Sequence, residues 1–418
     1  MSAKVSVLEN GLTVITECKP YTRMLNIGIW VKAGSLYETP VTSGLSHFTE
    51  HMLFMGTKRR NACQISQQIA DRGGTTDAWT SLDHTGYSME VLIEDCEFAM
   101  DILSDMMMNP QFDTSEINLE RKVILQEQED ESHDPELMLS ESFHSLIYPG
   151  QAMSRNILGS RRNIQNVTRK KLMAFHKNFY VGSNLILSAV GNLEHEKIVS
   201  LAQSYFGSVP KGQCQETAPI HYVGGFKHIN KDCDRVMLGL GFDIPYRKEL
   251  ETAVILMSQI LGTGDTSRLY TEIREKKGLV YEISANLQTC KKDGNLDIFA
   301  ECNAANVNEI LNLITLEINK LRHVLVAEEE LNRVKKQMLV ALIRNMEQGE
   351  FVCGSNAEQF IKLGRLKTSE GLITKIEQVT PEKIREAAEG IFSSKLTYIV
   401  HGKVSAYTTY EQLQKMLN

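Results

Sequence analysis

The stretch S-H-F-T-E-H-M-L-F (46–54) places His47, Glu50 and His51 inside five residues of an otherwise apolar run. On a helix, residues four apart project from one face about one turn apart, so His47 and His51 can close on a single metal ion. Glu50 falls in the same arc but is poorly placed to join them as a ligand. Its carboxylate suits proton transfer from a water that a cation has made acidic, which is hydrolytic chemistry. The same three residues would also sit without function on a solvated helix face, so the spacing needs further support.

The order H-x-x-E-H is the inverse of the H-E-x-x-H pattern of zinc proteases. A catalytic zinc takes three protein ligands and leaves its fourth position to water. Downstream, N-L-E-R-K-V-I-L-Q-E-Q-E-D-E (118–131) offers Glu120 and Glu127. They lie seven residues apart, hence two helical turns along one face. Val123 and Ile124 between them are expected to bury against the domain. Glu129, Asp130 and Glu131 are bunched, as on a solvated helix end, whereas Glu120 and Glu127 are interleaved with apolar residues. On the residues alone, either of the two carboxylates can complete the site.

The elements that must position these groups follow from local pattern. V-S-V-L-E and L-T-V-I-T-E flank Asn10-Gly11, a strong hairpin signal. Leu25, Ile27, Ile29 and Val31 alternate as in a half-buried strand, and 44–54 then takes helical spacing. A second helix over 63–72 stops at Gly73-Gly74. Strand character returns over 75–92, with Thr85, Tyr87, Met89 and Val91 on one side. Helices are expected over about 94–108 and 114–131, and a strand over 184–193. The run V-P-K-G-Q-C-Q-E-T-A (209–218) has no periodicity and marks a divide. The expected organisation is therefore a domain over 1–210, a linker over 211–220 and a second domain over 221–418.

The second half repeats features of the first. N-L-I-L-S-A-V-G-N-L (184–193) is similar to K-L-T-Y-I-V-H-G-K-V (395–404), and F-M-G-T (54–57) to I-L-G-T (260–263). F-D-T-S-E-I-N-L-E-R-K-V-I-L (112–125) pairs with V-A-E-E-E-L-N-R-V-K-K-Q-M-L (326–339). This points to a duplicated α+β fold. The pairing sets Val334 opposite Glu120 and Ala341 opposite Glu127, and V-I-L-M-S-Q (254–259) opposite the histidine motif. The second half is thus expected to be metal-free.

Bulk properties narrow the function. A chain of 418 residues implies two domains of roughly 200 residues. The net charge of −7 argues against nucleic acid, which needs a clustered basic surface. The eight cysteines (18, 63, 96, 214, 233, 290, 302, 353) are scattered without a C-x-x-C pair, as in a reducing compartment. No apolar run approaches the roughly 20 residues needed to span a bilayer, and no signal peptide is visible at the start. The expected setting is intracellular, a bacterial cytoplasm or, for a trimmed organelle protein, the mitochondrial matrix.

Taken together, G-L-S-H-F-T-E-H-M-L-F-M-G-T (44–57) and L-E-R-K-V-I-L-Q-E (119–127) resemble the insulinase/pitrilysin metallopeptidases. The chain is similar to the shorter branch that includes the β subunit of mitochondrial processing peptidase and its bacterial relatives. The resemblance extends through E-N-G-L-T-V (9–14), G-G-T-T-D-A-W-T-S-L-D-H-T-G-Y (73–87), R-N-I-L-G-S (155–160) and S-R-L-Y-T-E-I-R-E-K-K-G-L-V-Y-E-I (267–283). It implies one Zn²⁺ per chain held by His47, His51 and Glu127, with Glu50 as general base and Glu120 orienting a ligand histidine. It further implies that Arg274 and Tyr281 hold the substrate and stabilise the oxyanion. The strand Asp77, Ala78, Trp79, Thr80 would align an extended peptide by strand addition. Asp77 stands where the family usually has asparagine, which tilts the expected preference toward basic side chains.

Members of this size pair two chains into a four-domain clam around a chamber. The implied protein is a homodimeric zinc endopeptidase acting on peptides or unfolded N-terminal segments, with Arg274 and Tyr281 serving their own chain or the partner's. Two alternatives belong beside it. One is a non-catalytic structural subunit of a processing peptidase or respiratory complex, from which the intact ligand set argues away. The other is an obligate heterodimer, against which the presence of Arg274 and Tyr281 argues.

Overall fold

A computed structural model of the chain describes residues 3–231, 235–245, 247–290 and 293–417. Two compact units emerge. The first comprises Met1–His133, Arg155–Pro219 and Ile343–Lys367; the second comprises Asp134–Ser154, Ile220–Leu342 and Thr368–Asn418. Each unit is thus assembled from separate runs of sequence. The helix Pro135–Ile147 belongs to the second unit and the helix Gly349–Leu363 to the first. These two exchanged segments carry no compositional mark, unlike the aperiodic run near 209–218 where the chain makes its main crossing.

In the first unit, strands β1 (Lys4–Val7), β2 (Thr13–Cys18), β3 (Met24–Val31), β4 (Thr75–Thr80), β5 (Thr85–Leu92) and β6 (Leu185–Gly191) form one sheet in the order β1-β2-β6-β3-β5-β4. Only the β2–β6 pairing is parallel. The hairpin at Asn10-Gly11 is present, with the last ladder bond between Leu8 and Leu12 and a turn bond from Gly11 N–H to Leu8 O. Its loop therefore holds three residues rather than two.

The second unit repeats this plan with β7 (Gly225–Ile229), β8 (Val236–Asp243), β9 (Val280–Cys290), β10 (Asp293–Cys302) and β11 (Leu396–His401), ordered β7-β11-β8-β10-β9. Again one pair, β7–β11, is parallel and the rest are antiparallel. Matching β2, β6, β3, β5 and β4 with β7, β11, β8, β10 and β9 in turn recovers the same strand order. The fold is a duplicated α+β architecture of mostly antiparallel sheets packed with helices.

Each sheet buries one face in its own apolar core. In the first unit Leu25, Ile27, Ile29 and Val31 of β3 join Phe48, Met52 and Ile124. The half-buried strand expected here is in fact covered on both faces. Trp30 and Ile186 on the reverse side pack with Val352, Cys353 and Ala357 of the helix Gly349–Leu363. The covering helix lies more than 300 residues downstream, so the local pattern of β3 carries no sign of it. The first three residues of the edge strand β4 are exposed, whereas its Trp79 packs against this cluster.

Among the described residues, no helix is long and apolar enough to cross a membrane. Cys18, Cys63, Cys96, Cys214, Cys302 and Cys353 are free thiols, while Cys233 and the Cys290 side chain lie outside the described residues.

Candidate metal centre

The histidine motif occupies the helix Leu45–Phe54, which is buried on most of its circumference through Leu45, Phe48, Met52 and Leu53. Its first residue is preceded by Gly44, at a φ of 93°, which has no side chain to cap the helix. The cap comes instead from Glu38: its Oε2 accepts from Gly44 N–H at 2.9 Å and its Oε1 from Ser46 N–H at 2.7 Å. A carboxylate at a helix N-terminus satisfies orphan amides and meets the positive end of the dipole, typically about 1 kcal/mol. Burial raises the Glu38 pKa, partly offset by those amides and by Arg155. Sequence reasoning passed over Glu38, because it lies outside the helix it caps and has no motif spacing to it.

His47 and His51 lie on consecutive turns with ring centroids 4.6 Å apart, meeting edge to face. The second ligand-bearing element is the helix Thr114–His133, whose buried residues are Ile117, Glu120 and Ile124. Spacings of three and four residues put these on one stripe, and Glu127 extends it by another turn. Val123 is a correction: it is 40% exposed rather than buried, because it lies off that stripe by one residue.

The two helices bring the groups together. His47 Nε2 lies 3.9 Å from Glu127 Oε2, and His51 Nε2 lies 3.8 Å from Glu127 Oε1. Across the described residues, the metal-ligating side chains that converge are His47, His51 and Glu127, with one donor atom from each within 4.8 Å of the others. Glu120 has a separate position, its Oε2 being 2.9 Å from His51 Nδ1. The two carboxylates thus take two different places, Glu120 at Nδ1 and Glu127 toward Nε2 of the His51 ring.

These donors fit a divalent cation. Two nitrogens and an oxygen at tetrahedral angles on zinc would stand roughly 3.3 Å apart, from bonds of about 2.0–2.1 Å. The observed separations are slightly wider and too long for hydrogen bonds. Glu127 Oε2 is buried without a hydrogen-bond partner among the described residues. Burial pushes the His47 pKa down to about 3, with the neighbouring His51 adding to the effect, so this imidazole is a neutral donor. Burial also raises Glu127, with His51 opposing and Glu120, Glu131 and Asp130 reinforcing. For His51, burial lowers the pKa, but the Glu120 hydrogen bond and three nearby carboxylates outweigh it and the net direction is upward. Carboxylates thus crowd this point, the environment a cation relieves. Among the described residues, His47 Nδ1 has no hydrogen-bond partner, in contrast to His51 Nδ1.

Glu50 is buried beside the ligands, and its Oε2 accepts a 2.6 Å hydrogen bond from Thr80 Oγ1. Burial raises its pKa; the Thr80 bond and His51 oppose, while Glu127 and Asp77 reinforce. Thr80 belongs to β4, the sheet edge next to the motif helix. Ala78 packs toward the core on the same side as Thr80, whereas Trp79 turns to the reverse side and meets Trp30 edge-to-face at 5.9 Å. Asp77 is exposed, and its Oδ1 accepts from Ala78 N–H at 2.9 Å. A role for Thr80 in holding Glu50 had no sequence signal, since the two are 30 residues apart.

Arg274 and Tyr281 lie in the second unit. Arg274 is exposed on the π-helical segment Tyr270–Glu275 with its guanidinium 5.0 Å from the Tyr270 ring centre. Tyr281 is 45% exposed at the start of β9, under the Arg235 guanidinium. Val334, paired in sequence with Glu120, is buried.

Comparison with known proteins bears on this geometry. The model of the insulinase family, peptidase family M16, matches residues 13–161, and that of the M16 inactive domain matches residues 166–338. A Rickettsia felis protein named an uncharacterized zinc protease is 34% identical over 400 residues, covering 95% of this chain and 97% of its own length. A Mycobacterium tuberculosis protein of similar name is 27% identical over 409 residues, covering 96% and 93%. The crystal structure of a Helicobacter pylori protease superposes with a TM-score of 0.89 at 22% identity over 96% of this chain and 99% of that one, a likeness of fold. With both halves matched and a relative this similar end to end, the chain belongs to the insulinase family of peptidases, M16.

Proposed function

We propose that this M16 peptidase is a zinc-dependent endopeptidase that hydrolyses peptides or unfolded segments. The observation carrying this reading is the convergence of His47, His51 and Glu127 beside the buried carboxylate of Glu50. A zinc ion held by His47, His51 and Glu127 would supply Lewis acidity, polarising a carbonyl and making a water more acidic. Glu50 is the base that takes the proton from the attacking water and returns it to the leaving amine. Thr80 holds one of its oxygens, which directs the other toward the reaction. Glu120 fixes His51 so that Nε2 presents its lone pair toward Glu127.

An extended peptide adds to the free edge of β4, so that main-chain hydrogen bonds supply register. Side chains of the added strand alternate between the Glu50 side and the reverse side. On the reverse side lies a cavity of about 130 Å³ lined by Trp30, Asp77, Trp79, Glu90 and Glu350, among others. None of these three carboxylates is in an ion pair among the described residues. Aromatic walls and unpaired carboxylates favour a Lys or Arg side chain. Arg274 and Tyr281 hold the substrate and stabilise the oxyanion, in a homodimer that encloses the substrate. The relatives named above are bacterial, which supports a bacterial cytoplasm as the setting.

Zinc analysis and cleavage of a quenched fluorescent peptide pool test the reading together. About one zinc per chain, chelator-sensitive cleavage, and loss of turnover with zinc retained in Glu50→Gln are expected. Stoichiometric zinc with no cleavage of any pool would instead support a structural subunit.

A further inference from the structure

His51 is tied through Glu120 and Glu50 through Thr80, whereas Glu127 accepts no hydrogen bond among the described residues. Its side chain is also more exposed, at 38%, than those of His47 and His51 at 13% and 17%. Something other than its own contacts must hold this carboxylate opposite the histidines. A zinc site tolerates ligand displacements of only about 0.2 Å.

The tether lies one residue further along the helix. The Gln128 carboxamide donates through Nε2 to two successive carbonyls, Leu158 O at 3.1 Å and Gly159 O at 2.9 Å. Two acceptors side by side demand the two N–H groups of an amide, and the reversed amide would set oxygen against oxygen. This turn is pressed against the beginning of the histidine helix. A Cβ on Gly44 would meet Leu158 O at 2.8 Å and Gly159 Cα at 2.9 Å, and a Cβ on Gly159 would meet Ser43 O at 2.5 Å. Both glycines have positive φ, 93° and 76°. Between the turn and the residues that open the helix the contact is backbone on backbone, with the end of the Ile164 side chain beside it. Asn163 Nδ2 fastens the same region from the other side, donating to Pro40 O at 2.9 Å and Ser43 O at 3.2 Å.

One side chain therefore connects the residue beside the third ligand to the backbone that opens the helix of the first two. We infer that Gln128 is a positioning residue of the metal centre, setting the separation of Glu127 from His47 and His51 through the Leu158–Gly159 turn. The inference rests on the zinc reading proposed above. It also gives the R-N-I-L-G-S segment (155–160) a physical role, since its carbonyls and its glycine form the joint between the two ligand-bearing helices.

Full-length Gln128→Met and Gln128→Leu, together with the parent, are titrated with zinc against a chromophoric chelator. Arg161→Ala is the control, because it removes the exposed 3.2 Å tie between Glu129 of the same helix and the segment after the turn. The metal-free melting temperature of every variant is measured alongside. Loss of an outer contact of this kind is expected to weaken zinc binding about 10- to 100-fold in both Gln128 variants. Arg161→Ala is expected to bind zinc as the parent does, and metal-free melting is expected to be preserved in Gln128→Met. Cobalt substituted for zinc is expected to show an altered visible spectrum in Gln128→Met, reporting changed ligand geometry. Unchanged zinc affinity in both Gln128 variants overturns the inference. So does an equal loss in Arg161→Ala, or a loss of affinity matched by a collapse of metal-free stability, since each would mean general loosening of the helix. A parent protein that takes up no zinc is a separate failure, which rejects the metal reading itself.

Discussion

His51 stands between two carboxylates: its Nδ1 is 2.9 Å from Glu120 Oε2, and its Nε2 is 3.8 Å from Glu127 Oε1. A carboxylate at Nδ1 requires the proton there, which leaves the Nε2 lone pair free for a cation. In Glu120→Gln the amide can donate to Nδ1 instead, moving the ring proton to Nε2 where a metal must bind. Zinc affinity is expected to fall about 10- to 100-fold. Chelator competition measures it, and affinity within twofold of the parent would show that Glu120 does not set the tautomer.

The residues proposed to take part in the reaction are divided between the units: His47, His51, Glu127 and Glu50 lie in the first, Arg274 and Tyr281 in the second. Chains carrying Glu50→Gln and chains carrying Arg274→Ala should each be inactive alone. If sites are completed across a symmetric dimer, one of the two sites in each mixed dimer regains a full set. Recovery of peptide cleavage after mixing is the expected result. Silence in a preparation shown by mass spectrometry to contain mixed dimers would place all groups of a site on one chain.

Much of this centre was legible in the sequence because its parts are local. His47 and His51 are one helical turn apart, and Glu120 and Glu127 share a stripe with Ile117 and Ile124, so spacing alone puts each pair on one face. The repeat of the fold was legible for a similar reason, since 184–193 and 395–404 became β6 and β11, matching strands of the two sheets. Hidden were the long-range partners. Glu38 capping the motif helix, Thr80 on Glu50, and Gln128 on the 158–159 turn are each contacts between elements whose separation follows no period. The two-sided burial of β3 was hidden too, because Trp30 reads as an interruption of the alternation until the helix Gly349–Leu363 is seen over it.

Asp77 offers a test of specificity apart from the metal. It lines the reverse-side cavity with Trp79 and Glu350, and it is exposed enough to meet solvent in the free protein. Asp77→Asn should lower kcat/KM for peptides with a basic side chain at the facing position by roughly two- to five-fold, the scale of a partly exposed ion pair. Neutral peptides should be little affected, and zinc content unchanged. A library profile with the same basic preference in both proteins would remove Asp77 from substrate choice.

Asp297 in β10 gives the second unit a pH dependence of its own. Burial raises its pKa to about 7, against hydrogen bonds from Asn295 that favour the ionised form. Asn295 Nδ2 donates to both carboxylate oxygens at 2.6 Å, and Tyr148 OH donates to Asn295 Oδ1 at 2.8 Å. The facing cation candidate, His144, has its Nε2 3.9 Å away, and burial lowers its pKa, so it provides little positive charge near neutrality. In the unfolded chain Asp297 ionises near 3.8, so between about pH 4 and pH 7 the folded state holds a proton that the unfolded state has lost. Its contribution to stability therefore falls as pH rises through that window and levels off above it. The interval from 3.8 to about 7 corresponds to roughly 4 kcal/mol. Asp297→Asn removes the proton exchange while keeping a polar group of the same shape. Relative to the parent, the variant should gain stability from about pH 4 to pH 7 in denaturant titrations and hold level above that. A difference between the two that stays constant across that range would mean Asp297 is ionised in the fold throughout.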